Sequence, residues 1–114
     1  MPAVPTQRDR RYSRIATPKG VWVAWQDGAR QEVSRVLDLN IGGLFITTQN
    51  ASALGTVVSI LLSVPEGEIR GRAAVRNLSP TGMGVEFVEL RQQDSARLQR
   101  LISRLLPADR TAVG

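Results

Sequence analysis

Cysteine and histidine are both absent from this chain of 114 residues. Without thiols there is no disulfide framework and no sulfur-ligated zinc, and without imidazole the commonest general base is missing. Ser59, Ser63 and Ser79 therefore have no histidine to activate them as nucleophiles. The carboxylates do not group as an acid–base pair either: Glu66 and Glu68 flank a turn, and Glu86 falls out of phase with Val85 and Phe87 and reads as outward-facing. The expectation is a protein that is not an enzyme. No run approaches the roughly 18 apolar residues of a membrane span, so no membrane span is expected. The opening Met1–Gln7 has no apolar stretch of the kind a secretory signal carries. A cytoplasmic protein is the simplest expectation. Aromatic residues make up only 4% of the chain, so no aromatic-rich basic strand surface for nucleic acid is visible.

What is present is a folded composition with an uneven charge. Hydrophobic residues reach 42%, enough for one domain with a modest core and too many for a disordered chain. The net charge is +5, and 14 of the 15 basic residues are arginine. Residues 1–20 contain Arg8, Arg10, Arg11, Arg14 and Lys19 against Asp9 alone, a net of +4, and the other 94 residues add only +1. An arginine-rich segment suits bidentate recognition of an anion better than it suits general solubility. A nucleic-acid surface would spread its basic residues along a structured face.

The pattern beyond the first 20 residues is a succession of short strands. Val21–Gln26 alternates around Trp22 and Trp25, which stand on opposite faces, and Asp27-Gly28 supplies a hairpin signal. Gln31–Leu39 alternates again, with Val33, Val36 and Leu37 as its apolar members. Leu44–Thr48, Val57–Val64, Glu68–Arg76 and Met83–Leu90 complete the set, separated by Pro65-Glu66-Gly67 and Ser79-Pro80-Thr81-Gly82 turns. Six strands spaced this way predict a mainly β fold, an antiparallel barrel whose closure removes exposed edges. The period then changes. Leu98, Leu101, Ile102, Leu105 and Leu106 form one helical stripe, with Asp94 near the positive end of the dipole and Pro107 as terminator. A C-terminal helix capping the barrel is expected, with the arginines off its stripe in solvent.

Two segments carry candidate binding chemistry. Arg10 and Arg14 are four residues apart in the basic opening, and Asp38-Leu39-Asn40-Ile41-Gly42-Gly43 is a polar turn between two strands. Guanidinium forks match phosphates and the O6/N7 edge of guanine, a carboxylate accepts from guanine N–H groups, and glycine admits a flat ligand. Each half also has a plain reading: a solvated basic tail, and a turn built from Asx and Gly residues for backbone reasons. Tyr12 either stacks on a base or pins the segment to the barrel.

Arg10-x-x-x-Arg14 followed by Asp38-x-Asn40-x-x-Gly43 resembles the two-part signature of PilZ domains, R-x-x-x-R and then D/N-x-S-x-x-G. The likeness continues through Gly43-Leu44-Phe45-Ile46 and through Val75–Phe87, which is similar to the family's final hairpin. It implies a six-stranded antiparallel PilZ-like barrel with a C-terminal helix over residues 10–106, a flexible tail at 1–9 and a short tail at 107–114. It also implies a bacterial receptor for cyclic di-GMP, with no other cofactor, that orders its arginine segment on the nucleotide and signals to an unidentified effector protein. The ligand residues carried over are Arg10, Arg11, Arg14, Asp38, Asn40 and Gly43, Asn40 standing where the family has serine. That departure keeps open a PilZ-like adaptor working through protein contacts without nucleotide. A small barrel binding nucleic acid through its basic arm is the weakest alternative.

Overall fold

A computed structural model describes residues 15–18 and 20–106. Its strands are β1 (Ile15–Ala16), β2 (Trp22–Asp27), β3 (Arg30–Asn40), β4 (Gly43–Thr47), β5 (Val57–Val64), β6 (Gly67–Ser79) and β7 (Gly82–Leu90), followed by helix α1 (Gln92–Leu105). Strands β3, β2, β5, β6, β7 and β4 pair in that order, and β4 pairs back onto β3. Every pairing is antiparallel. This is the expected six-stranded barrel, with one further strand: β1 adds two residues along β3.

The turn chemistry places the strands. Gly28, at φ +62°, supplies the left-handed residue between β2 and β3, and Gly67, at φ +124°, does so where β5 turns into β6. Alternate residues of each strand then face inward, among them Val23, Trp25, Leu39, Ile46, Leu62, Ile69 and Met83. Trp25 is 1% exposed and Trp22 50%, as opposite strand faces require. Inside the core, Trp25 Nε1 donates to Ser34 Oγ at 2.9 Å, which satisfies the indole. The Arg30 guanidinium lies 5.1 Å from the Trp25 ring centre and also donates to Ser52 Oγ at 3.0 Å.

One expectation about β3 is corrected. Of the apolar members of its alternation, Val36 is buried, but Val33 and Leu37 are 69% and 42% exposed. Val33 lies on the strand face opposite the buried Ser34 and Val36, and a β-bulge between Val36 and Asp38 then leaves Leu37 as an extra residue and shifts the buried phase to Leu39.

Helix α1 covers one end of the barrel with the predicted stripe. Leu98 and Leu101 are fully buried, and Ile102 and Leu105 pack partly buried against the same core. Leu106 is the helix C-cap and stays half-exposed; Pro107 lies outside the described residues. Asp94 does more than face the dipole. It is buried, and its Oδ1 accepts the Arg70 backbone N–H of β6 at 2.9 Å, stitching the first helical turn to the barrel. Asp94→Ala should therefore cost about 1–3 kcal/mol, the penalty of a buried N–H left unpaired. Urea denaturation checks this, with Asp94→Asn, which keeps an acceptor, losing less.

At the far end of α1, both guanidinium nitrogens Nε and Nη2 of Arg104 donate to Glu66. That contact holds the Glu66 carboxyl below its ordinary value. Asp27 is lowered as well, first by the Ser52 hydroxyl and then by Arg30. A carboxylate depressed in the folded state contributes stability above its unfolded pKa and loses it as pH falls through the folded one. Melting temperature should therefore fall on acidification below the ordinary carboxylate range, and Glu66→Gln should flatten part of that fall.

Candidate functional site

The turn between β3 and β4 is organised by its own side chain. Asn40 Oδ1 accepts the backbone N–H of Gly42 at 2.8 Å and of Gly43 at 2.9 Å, an Asx arrangement that closes the chain on itself. Gly42 then offers its carbonyl to the Phe87 N–H of β7 at 2.8 Å, so the turn is fastened to the last strand. Asn40→Ala leaves two turn N–H groups without this acceptor, whereas Asn40→Ser retains a shorter one. Amide exchange at Gly42 and Gly43 should quicken clearly in Asn40→Ala and less in Asn40→Ser.

The bulge at Leu37 has a consequence here. Because the strand phase reverses, Leu39 enters the core and Asp38 and Asn40, on either side of it, stand on the outer face. Strand β1 lies beside them, with Ala16 opposite Asp38 and Ile15 opposite Leu39. Thr17 secures the join: its N–H donates to the Leu37 carbonyl at 3.1 Å and its hydroxyl to the Val36 carbonyl. The described chain thus begins, at Ile15, beside the strand that leads into the polar turn.

A cleft of about 590 Å³ opens between that turn and the β6–β7 hairpin, a size within the ordinary range for small-molecule sites. Asn40, Ile41, Gly42 and Gly43 form one side. Arg76, Asn77, Gly84 and Glu86 form much of the other, with Val85 and Phe87. A second bulge, between Val75 and Asn77, makes Arg76 the extra residue of β6. Arg76 Nε donates to Glu86 Oε1 at 2.8 Å across the wall. The Asn77 amide lies over Gly84, where an added Cβ would come within 2.5 Å of its Oδ1. The surface mixes polar groups with Ile41, Val85, Phe87 and glycine, and its Arg76–Glu86 pair is neutral, so it can receive a flat ligand with hydrogen-bonding edges.

Of the residues singled out from sequence, Asn40 and Gly43 line this cleft. Asp38 shares the outer face of β3 with Asn40 without lining the cleft, and Arg10, Arg11 and Arg14 lie outside the described residues. Gly43 has a role besides openness: a Cβ there would fall 2.0 Å from the Val85 carbonyl oxygen, so glycine sets the approach of β4 to β7. Arg76, Asn77 and Glu86 were not picked out as site residues, although they fall in the Val75–Phe87 stretch that carried the resemblance. Their convergence depends on the β6 bulge, which no periodicity announces. Among the described residues no group of three or more carboxylates could hold a metal ion, and no helix is long and apolar enough to cross a membrane.

A six-stranded closed barrel with a cleft of mixed polarity at the β3–β4 turn has the form of a small ligand-binding module. The sequence profile of the PilZ domain matches residues 8–104, and the chain belongs to that family. No curated protein matches the chain. Among solved structures it is similar to the PilZ domain with c-di-GMP of YcgR from Escherichia coli, at 21% identity and a TM-score of 0.69, with 90% of this chain and 93% of that one covered. It is similar as well to the Bacillus subtilis inhibitor of motility MotI/DgrA, at 21% identity and a TM-score of 0.66, covering 81% of this chain and 50% of that one. The K. pneumonia MrkH–c-di-GMP complex matches at 15% identity and a TM-score of 0.68, with 84% and 51% covered. The chain therefore spans about half the length of these last two proteins.

Proposed function

We propose that this protein is a bacterial cytoplasmic receptor for cyclic di-GMP that passes its signal to a partner protein. The observation that carries the reading is a convergence: the cleft at Asn40–Gly43 lies beside the strand, β1, through which the arginine segment joins the barrel opposite Leu39 and Asp38. Binding of the dianionic nucleotide draws Arg10 and Arg14 onto the turn. Arg11 adds a further phosphate contact, Asp38 accepts from a guanine edge, and Gly42 and Gly43 let the base lie close to the backbone. Ordering a segment costs on the order of 1–2 kcal/mol per residue, so several charge-assisted hydrogen bonds have to offset it. The arginines, once gathered on the nucleotide, present a changed surface to the partner.

Calorimetric titration with cyclic di-GMP, cyclic di-AMP and GTP tests the reading. Saturable binding of cyclic di-GMP with clear preference over the other two is the expected result. An absence of saturable binding at tens of micromolar would sink it. Recovery of binding in Asn40→Ser would then assign the defect to that side chain and leave the nucleotide-free adaptor as the function of the parent chain. Tight binding to long nucleic acids with a steep salt slope and no dinucleotide preference would instead favour the basic-arm reading.

A further inference from the structure

We propose that Arg76, aimed by Glu86, reads a guanine edge in the cleft, so that the barrel wall itself takes part in choosing the base. This rests on the nucleotide reading above and adds to it a residue outside the arginine segment and the turn.

The geometry supports a base contact more than a phosphate contact. Arg76 is the one cation lining the cleft among the described residues. It is the extra residue of a bulge, a device that re-aims a side chain away from the regular pleat. Its Nε is taken by Glu86 at 2.8 Å, and no acceptor among the described residues engages its terminal Nη groups. Those groups form a donor fork on a side chain that is 53% exposed. An isolated arginine would serve a phosphate well. Here the carboxylate of Glu86 neutralises the guanidinium and repels a second anion, while leaving the fork's direction intact. Guanine presents two acceptors, O6 and N7, to such a fork; adenine replaces O6 with a donor amine. The Asn77 amide, flat over Gly84, leaves a low floor beside the fork on which a planar base can lie.

A role in stability is a poor explanation of the pair. Both partners are more than half exposed, at 53% and 59%, and exposed ion pairs contribute little to folding. The side chains can therefore be changed without losing the barrel.

The test is a chemical double-mutant cycle. The parent chain, Arg76→Ala, Arg76→Lys and Glu86→Gln are each titrated with cyclic di-GMP and with its 7-deaza analogue, which lacks the N7 acceptor. Thermal unfolding is measured in parallel. The parent should bind the analogue about tenfold more weakly, the lower part of the range for a lost bidentate base contact. Arg76→Ala should bind cyclic di-GMP about tenfold more weakly than the parent and discriminate less between the two ligands. Arg76→Lys should restore charge without restoring discrimination, and Glu86→Gln should fall between, with an unchanged melting temperature. Undiminished discrimination in Arg76→Ala, or full rescue by lysine, overturns the proposal, as does a parent that binds both ligands equally. A parent that binds neither ligand overturns the receptor reading with it. A parent that binds and loses affinity on Arg14→Ala, but not on Arg76→Ala, overturns this inference alone.

Discussion

Gly43→Ala should destabilise the barrel by about 3 kcal/mol, near the upper end of the usual range for overpacking. The cause is one contact that has no room to relax. An added Cβ would sit 2.0 Å from the Val85 carbonyl oxygen and 3.0 Å from its carbon. A flexible side chain would swing aside from such an intrusion, but a backbone carbonyl in the β4–β7 ladder cannot move without breaking its neighbours. Strand β4 is the closing strand of the barrel, bonded to β7 on one side and β3 on the other. Displacing it weakens both pairings at once. Gly42 is the internal control. Its Cβ would meet only Asn40 Oδ1, at 3.4 Å, so Gly42→Ala should cost under about 1 kcal/mol, as most substitutions without a named defect do. Equilibrium urea unfolding of the three proteins measures the difference directly. Equal losses at the two glycines would show that the turn, not the strand approach, makes glycine necessary.

The second large effect concerns binding. Arg10→Ala, Arg14→Ala and Asp38→Ala should each weaken cyclic di-GMP binding by about 1.5–3 kcal/mol, the range for a charge-assisted hydrogen bond, with melting temperature nearly unchanged. Ala16, two residues after Arg14 in the sequence, stands opposite Asp38 in the β1–β3 pairing, which is why these three positions are the ones to test together. Arg100→Ala is the proper control, because Arg100 is exposed on α1 and lies away from the cleft. Arg30 is unsuitable for that purpose. It donates to Ser52 and to the Asn50 carbonyl and lies over Trp25, so its removal disturbs folding. Losses of equal size at Arg10, Arg14 and Arg100 would mean diffuse attraction rather than a defined site.

The strands were legible in the sequence where a turn marked both ends. Asp27-Gly28, Pro65-Glu66-Gly67 and Ser79-Pro80-Thr81-Gly82 each fall between paired strands, and the apolar alternation between them survives in the core. The helix stripe was equally plain, since Leu98 and Leu101 are fully buried. Its beginning was less so: Arg91 is the N-cap and makes no side-chain capping bond, which leaves no start signal to read. Strand β1 escaped notice because two residues carry no periodicity, and its pairing with β3 is a non-local contact. The bulges at Leu37 and Arg76 escaped for a related reason. An inserted residue interrupts a period of two, and nothing in the side chains of Leu37 or Arg76 announces it. The site was half visible as a result. The Asn40–Gly43 turn is contiguous in sequence, but the opposing wall of Arg76, Asn77 and Glu86 assembles only when β6 and β7 pair with their register shift.

The short strand β1 also fixes a local concentration. By anchoring Ile15 opposite Leu39, it ties Arg14 one residue, and Arg10 five residues, from the anchored end. Five residues reach at most about 18 Å even when fully extended. Were a nucleotide held on the turn as proposed, its encounter with these arginines would be an intramolecular event, at an effective concentration of roughly millimolar or more. On that reading the barrel would need only modest intrinsic affinity for the ligand, since the guanidiniums would follow without a separate diffusional encounter. Loop-closure entropy grows slowly, about 0.6 kcal/mol for each doubling of length, so residues inserted between anchor and arginines should weaken such an encounter only slightly.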